Sequence, residues 1–299
     1  MKRNPKLLAI ILACLPLMGC STNKTSIDVI IMGGQSNMVG CSAYSRLSND
    51  LGSAKYSEYT TGYKGIKISY DCWTKNGTND YAEQNSSNDK FVTTLLGEGN
   101  SDLTFGPEVG MAEKFSTARN DKVVFIKYAC GASNLLDDWA APDSGKRTTM
   151  YANFVAYVTA QMKLLSAQGY DPKIKAMCWM QGEGDSYPGY CEEYYQQEHY
   201  LVSDLRKEFA SYTDGTDFAF IDGGISDSSF NPKYQTVNAA KQQVAAESER
   251  NIYIDTLAAG LDKNKLQEDA AHYIAPAMVT LGHLFADAAE PFLTPLKSR

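Results

Sequence analysis

The sequence predicts an α/β fold, a three-layer α/β/α sandwich with a mostly parallel central sheet, and three observations carry that expectation. Short apolar runs recur along the chain, at 27–32, 122–128, 175–180, 218–221 and 252–255. Longer stretches of helical period separate some of them, as in 149–168, where Met150, Phe154, Val158, Met162 and Leu165 return to one face. Several runs stop at glycines and polar residues, as strands do where an open parallel sheet presents its carboxyl edge to ligands. Strands alternating with helices pack as a parallel sheet covered on both faces. A hydrophobic content of 43% over roughly 270 residues suffices for one sizeable core, read here as a single domain over 27–296 without internal repeats.

The amino terminus is set apart from that core. Lys2, Arg3 and Lys6 precede an apolar stretch at 7–18, which has the shape of a signal peptide and is short for a membrane span. Leu17-Met18-Gly19-Cys20 resembles a bacterial lipoprotein box, with Met18 a less usual residue at its place. Cleavage after residue 19 and lipidation of Cys20 would leave 20–26 as a linker to a membrane. An ordinary secretory peptide with an incidental cysteine is the competing reading. Ser21 resembles the usual signal for export to the outer membrane. The expected location is therefore the bacterial cell envelope, lipid-anchored at the outer membrane or cell surface.

The first core strand, 27–32, runs into Gly33-Gly34-Gln35-Ser36-Asn37-Met38. A buried strand that halts at glycines lifts the next hydroxyl to the sheet edge, so Ser36 is the candidate nucleophile. From 41 to 105 the chain is rich in Ser, Asn, Gly and Tyr and reads as an irregular insertion with one plausible strand near 66–73. It leaves directly from the Ser36 turn, and a loop of such length inside a domain is functional or disordered; the expectation is a substrate-facing excursion. The run 122–128 leads into Ala129-Cys130-Gly131-Ala132-Ser133, whose glycine can offer an unobstructed backbone N–H. The run 175–180 ends in Gln181-Gly182-Glu183-Gly184-Asp185. A carboxamide there can donate to a developing oxyanion. The later strands at 218–221 and 252–255 flank a helix at 234–249.

A serine hydroxyl needs a base within hydrogen-bond reach and a group that orients the base. The chain has three histidines. His199 falls in a charged, tyrosine-rich helix and His283 in the apolar terminal helix, where solvated or packed roles are expected. His272 sits in Asp269-Ala270-Ala271-His272, a short break before Pro276 opens a helix. Three residues apart on such a turn, Asp269 can hold the imidazole in one tautomer.

Five blocks in order now carry a resemblance: Gly-Gln-Ser-Asn-Met at 34–38, Gly106-Pro107-Glu108 before a helix, the Gly131 turn followed by Trp139, Trp179-Met180-Gln181-Gly182-Glu183, and the Asp269/His272 pair. Together they resemble the sialate O-acetylesterase and acetylxylan esterase group of SGNH hydrolases, from residue 27 to the final helix. The resemblance implies a flavodoxin-like sandwich and a serine esterase that releases acetate from acetylated polysaccharide or sialic acid. Ser36 would attack the ester carbonyl, His272 would carry the proton, and Asp269 would orient His272. The backbone N–H groups of Ser36 and Gly131 and the side-chain amide of Gln181 would form the oxyanion hole. Gln181 stands where many SGNH enzymes carry asparagine, and Gln35 where lipase-like relatives carry aspartate. The sugar-esterase branch shares both departures.

Several residues admit competing readings. Glu183 can serve as an auxiliary acid partner or, with Asp185, simply brace its loop. Paired carboxylates also suit a glycosidase, a reading that leaves Ser36 and His272 without work. Asn37, Trp139 and Trp73 are candidates to contact substrate, Trp139 as a wall for a sugar ring, although a tryptophan buried in the core needs no ligand. Tyr70 and Tyr81 share the choice between ring stacking and packing. A lipid or thioester hydrolase on the same fold, or a glycan-binding lipoprotein without turnover, are the alternatives.

Other classes are disfavoured. No Gly-x-Ser-x-Gly elbow, phosphate-binding loop or dinucleotide fingerprint occurs. No two histidines lie close together and no Cys-x-x-Cys occurs, so no metal site is expected, and the implied chemistry needs no cofactor. Three of the 28 basic residues lie in the leader; the remaining 25 face 35 acidic residues, a net charge of −10 that disfavours nucleic acid. Beyond Cys20 the cysteines are Cys41, Cys72, Cys130, Cys178 and Cys191, an odd set. Cys130 and Cys178 read as buried hydrophobes. If the oxidising envelope closes a bridge, Cys41–Cys72 is the first candidate.

Overall fold

The computed structural model describes residues 24–296; the predicted signal peptide and Cys20 lie outside the described residues. The first strand, β1 (Thr25–Gly34), is buried on both faces from Ile27 onward, as a central parallel strand must be. A single-turn helix α1 (Ser36–Val39) follows it. The region 41–105 then supplies β2 (Ser42–Ala43), α2 (Leu47–Leu51), α3 (Ser53–Thr61), β3 (Tyr63–Gly77), β4 (Asp80–Ser86), β5 (Val92–Thr94) and β6 (Thr104–Phe105). The remainder alternates α4 (Glu108–Phe115), β7 (Val123–Gly131), α5 (Thr149–Ala167), β8 (Tyr170–Met180), α6 (Tyr194–Glu208), β9 (Ala219–Gly223), α7 (Tyr234–Ala246), β10 (Asn251–Ile254) and α8 (Ala275–Ala289).

The main sheet has the order β10-β9-β8-β1-β7-β3-β4, with β5 also pairing β3. From β10 to β3 all pairings are parallel, and β4 and β5 run antiparallel to β3. Successive side chains of β8 show the two covered faces. Trp179 meets the ring of Phe154 from α5 around Gly33, whereas Met180 meets Phe285 from α8 around Gly223. The sandwich expected from the alternating runs is the one observed.

The region 41–105 departs from expectation. It is not an irregular excursion: β3, 15 residues long, joins the main sheet in register with β7 from Lys67↔Val124 to Thr74↔Gly131. The strand expected near 66–73 is its centre, and Ser, Tyr and Asn content hides only its full length, because polar side chains satisfied inside the sheet break the apolar run. Ser69, fully buried, lies 2.7 Å from Tyr157 through its Oγ. Tyr70 is core, and Tyr81 donates to Asp138 Oδ1 at 2.6 Å. No Cys41–Cys72 bridge forms, as the five described cysteines are free thiols. Cys72 is buried with its Sγ directed at the carbonyl oxygens of Val39 and Glu98.

Beneath α1 lies a buried ionic knot. Lys127 of β7, fully buried, donates through Nζ to Val39 O at 3.1 Å, Glu98 O at 2.7 Å and Glu108 Oε2 at 2.9 Å. Burial works against the ammonium, but Glu108 outweighs it and keeps Lys127 charged. Burial and the same Glu108 drive the Glu98 carboxyl well above the usual range. Glu108 Oε1 accepts the Gly106 N–H at 2.7 Å, so the knot ties the turn before α4 to the end of α1. Breaking a buried pair leaves an uncompensated charge. Lys127→Met is therefore expected to lower unfolding free energy by about 3–5 kcal/mol, read from urea denaturation; a loss below about 1 kcal/mol would show that the knot contributes little.

Candidate active site

Ser36 follows the close approach of two strands. Gly34 has φ +142°, and a Cβ there would lie 2.1 Å from the carbonyl oxygen of Met180, so only glycine lets β1 pass β8 at this point. The carbonyl of Gln35 accepts the N–H groups of Met38 and Val39, both at 2.8 Å, turning the chain into α1. The N–H of Ser36 precedes that turn and has no intrahelical acceptor. Across the cavity, a Cβ placed on Gly131 would sit 3.8 Å from the Cβ of Ser36. Ala132 holds φ +57° beside it, and Ala270 φ +55° on the opposite loop. Non-glycine residues in this region store strain and gather at functional sites.

A cavity of about 490 Å³ opens at this carboxyl edge, lined by Ser36, Gly131, His272, Glu183, Trp73 and Gln35 among others. His272 Nδ1 lies 2.7 Å from Asp269 Oδ2. Asp269 Oδ1 accepts the N–H groups of Ala271 at 2.9 Å and His272 at 3.0 Å. For the Asp269 carboxyl, burial is outweighed by these N–H donors and the imidazole, which hold it below its usual range. Glu183 makes no hydrogen bond to His272. Its Oε1 accepts from Asn37 Nδ2 at 2.8 Å, so geometry assigns the imidazole's acid partner to Asp269. Asp185 braces a loop, as one reading held: buried, it accepts the N–H groups of Leu135 and Leu136, and burial pushes it up to about 7.

Three expectations are corrected, and one residue is added. Gln181 does not face the cavity; it is fully buried, its Nε2 donates to Gln35 Oε1 at 3.1 Å and to Asp185, and Tyr194 donates to its Oε1 at 2.9 Å. An amide engaged at both ends cannot also serve an oxyanion. Gln35, not singled out by that reading, lines the cavity instead. Its Oε1 collects three N–H donors, from Gln181, from Gly182 at 3.2 Å and from Gly184 at 3.0 Å, which leaves Nε2 as the free end of the amide. Asn37 is buried and contacts protein rather than the cavity: Nδ2 donates to Ala271 O at 3.2 Å and Oδ1 accepts the Tyr273 N–H at 3.2 Å, bracketing His272. Trp139 is core, with Nε1 on Ser133 Oγ at 2.8 Å and its ring edge-on to Trp179.

Trp73 lines the cavity as expected, together with Thr74, Gln84 and Asn100, so the region 41–105 does face it. His199 and His283 pair with Glu247 and Glu113 away from the cavity. Cys41, Tyr187 and Phe230 also line it, and nothing in the sequence pattern marks them. Among the described residues no group of three or more His, Cys, Asp or Glu side chains is arranged to hold a metal ion.

A sequence model described as carbohydrate esterase, sialic acid-specific acetylesterase matches residues 26–290. No curated protein matches the sequence. Among solved structures, a protein from Arabidopsis thaliana aligns at 17% identity over 90% of this chain and 100% of its own, with a TM-score of 0.60. NanS aligns at 14% identity over 90% and 98%, with a TM-score of 0.58. A carbohydrate acetylesterase from Xanthomonas citri aligns at 11% identity over 89% of this chain and 56% of its own, with a TM-score of 0.57. At these identities the three likenesses establish the shared fold.

Burial would lower the His272 pKa, but hydrogen bonds and charge from Cys41 and Asp269 outweigh it and raise the group to about 9. A folded-state value above the unfolded one of about 6.5 stabilises the fold fully below that pH, and the contribution fades as pH rises through about 9. Histidine titration by NMR should place the midpoint of His272 near 9 and move it down in Asp269→Asn; an unchanged midpoint in that variant would remove Asp269 as its partner.

Proposed function

This chain belongs to the carbohydrate esterase, sialic acid-specific acetylesterase family and is a carbohydrate O-acetylesterase; on that premise we propose that it works through an acyl-enzyme on Ser36. The observation that carries the mechanism is a single cavity lined by both Ser36 and His272, with Asp269 at 2.7 Å from the imidazole's far nitrogen. The step requires His272 in its neutral form: as Ser36 Oγ bonds to the acetyl carbon, the hydroxyl proton passes to His272 Nε2. The tetrahedral intermediate collapses, and the sugar oxygen leaves with that proton. Water then attacks the acetyl-serine, giving one proton to His272, which returns it to Ser36 Oγ as the acyl bond breaks, and acetic acid departs and ionises to acetate in solvent. Asp269 stays ionised and keeps the imidazole's Nδ1–H directed at itself.

The negative charge that forms on the carbonyl oxygen needs N–H groups already in place. We assign these to the backbone of Ser36 and Gly131 and to Nε2 of Gln35. Gln181 then acts one step back, by fixing the Oε1 end of Gln35. Supporting this is the orientation of the Gln35 amide: two backbone N–H groups point at one of its atoms, which must be oxygen. Glu183 holds Asn37, and through it the peptide on either side of His272.

The leader and Cys20 support a place on the bacterial cell envelope, with the catalytic domain tethered by lipid at Cys20 through 20–26. Among the described residues no helix is long and apolar enough to cross a membrane.

Ser36→Ala is expected to abolish acetate release from an acetylated glycan while the circular dichroism spectrum is kept; retained turnover removes Ser36 from the chemistry. Gln35→Glu keeps the accepting oxygen and replaces the N–H donor, so kcat should fall about 10²–10³-fold with KM little changed. An equal loss in Gln181→Glu with no loss in Gln35→Glu would return the oxyanion role to Gln181. For the anchor, Cys20→Ser should shift the protein from the membrane to the soluble fraction; membrane recovery unchanged by the substitution would refute lipidation there.

A further inference from the structure

The open end of the cavity carries two aromatic rings that the mechanism does not use. Among the described residues few large hydrophobic side chains are exposed, and the only aromatic ones are Tyr187, 42% exposed, and Phe230, 55% exposed. Both line the cavity that holds Ser36 and His272. Exposed apolar side chains scattered singly need no explanation, but two gathered at the mouth of one cavity mark a contact surface. They are also fixed. Tyr187 donates through its hydroxyl to the carbonyl oxygen of Phe230 at 2.9 Å, which joins the loop after β8 to the loop after β9 and leaves both rings facing solvent.

The charge of the same cavity narrows what those rings meet. Among the described residues no lysine or arginine lines it. Lys75, next to Thr74 on β3, has its Nζ 2.8 Å from Asp138, and His272, whenever protonated, is already paired with Asp269 at 2.7 Å. Glu183 adds an acid to the lining, while Gln35, Gln84, Asn100 and Asn231 supply carboxamides. A carboxylate-bearing sugar would shed water here without gaining a free cation, and would approach Glu183 and a chain of net charge −7. Hydroxyl groups suit this lining, because carboxamides both donate and accept. The C–H face of a pyranose ring can cover an aromatic ring that water cannot satisfy.

We propose that Tyr187 and Phe230 form a stacking subsite for a neutral sugar ring beside the acetylated one, so that the substrate is an uncharged O-acetylated glycan chain rather than an O-acetylated sialic acid. This rests on the esterase reading of the same cavity and goes beyond it in naming the substrate class. The rings act on binding, since neither belongs to the proton-transfer or oxyanion groups.

The test compares an O-acetylated xylo-oligosaccharide, 9-O-acetylated N-acetylneuraminic acid and ethyl acetate, whose two-carbon alcohol has no sugar ring to stack. In the double variant Tyr187→Ala/Phe230→Ala, KM for the oligosaccharide should rise about tenfold more than KM for ethyl acetate, and Tyr187→Phe, which keeps the ring, should recover most of the loss seen in Tyr187→Ala. The unmodified protein should favour the neutral oligosaccharide over the sialic acid in kcat/KM. Equal rises in KM for oligosaccharide and ethyl acetate would reduce the rings to loop supports, and preference for the sialic acid would overturn the substrate class. If Ser36→Ala still releases acetate, the serine mechanism fails separately, because the KM ratio reads the rim whichever group attacks.

Discussion

Two carboxamides, one on each side of Ser36, hold together segments that the sequence keeps far apart. Gln35 gathers the side chain of Gln181 and the backbone of Gly182 and Gly184 on one oxygen. Asn37 reaches 234 and 236 residues ahead to the peptides flanking His272, and also to Glu183. Each amide does what no charged or apolar residue of its size can do, donating at one end and accepting at the other without the cost of burying an ion. Ser36, the loop that carries His272 and the strand end between them are thus held together by the two side chains that flank Ser36.

The ionic groups beneath this arrangement pay a desolvation cost that the site uses. Lys127 is fully buried, yet its three acceptors include the carbonyl of Val39 at the end of α1. A neutral side chain there could reach only part of that set. Asp185 is pushed up to about 7 by burial, and it joins the turn after β7 to the loop after β8 through backbone N–H groups. Lys127 reaches from the middle of β7 to the end of α1, and Asp185 lies beyond the end of β8, both places where backbone donors and acceptors outnumber the ladder partners available to them.

The central strands were legible because burial on both faces writes itself as an unbroken apolar run, as in 27–32 and 175–180. That Ser36 and His272 would meet at one sheet edge, with Asp269 on the imidazole, was legible for another reason: hydroxyl, imidazole and carboxylate in that setting have few structural uses. β3 was legible only over 66–73; its full length and its place in the main sheet were hidden, since its buried Ser69 and Tyr70 look polar and their partners on α5 and in the turn at Ser87 lie elsewhere in the chain. Gln181 was placed at the correct strand end and given the wrong direction. Two glutamines converge there, and which one faces the cavity depends on Gly182 and Gly184 offering their N–H groups to Gln35. Asn37 and Trp139 were misassigned because an amide or an indole beside a site is as useful for bracing as for binding. Tyr187 and Phe230 carry no periodicity and no motif; only the folded loops bring them to one mouth.

The position of Asp269 shows how a partly exposed carboxylate can still command an imidazole. Its side chain is 47% exposed, against 24% for His272, so water competes for it and a bare Coulomb attraction would be weakened accordingly. Two backbone N–H groups on Oδ1 compensate: they fix the carboxylate on a short turn and leave Oδ2 directed at Nδ1. The turn depends in turn on Ala270 in a left-handed conformation and on Gln267, which donates to the carbonyls of Cys41 and Tyr273. Orientation here comes from backbone geometry rather than from burial. The pairing therefore depends on the 267–273 loop staying attached to the Ser36 end of the sheet, which is the contact that Asn37 makes.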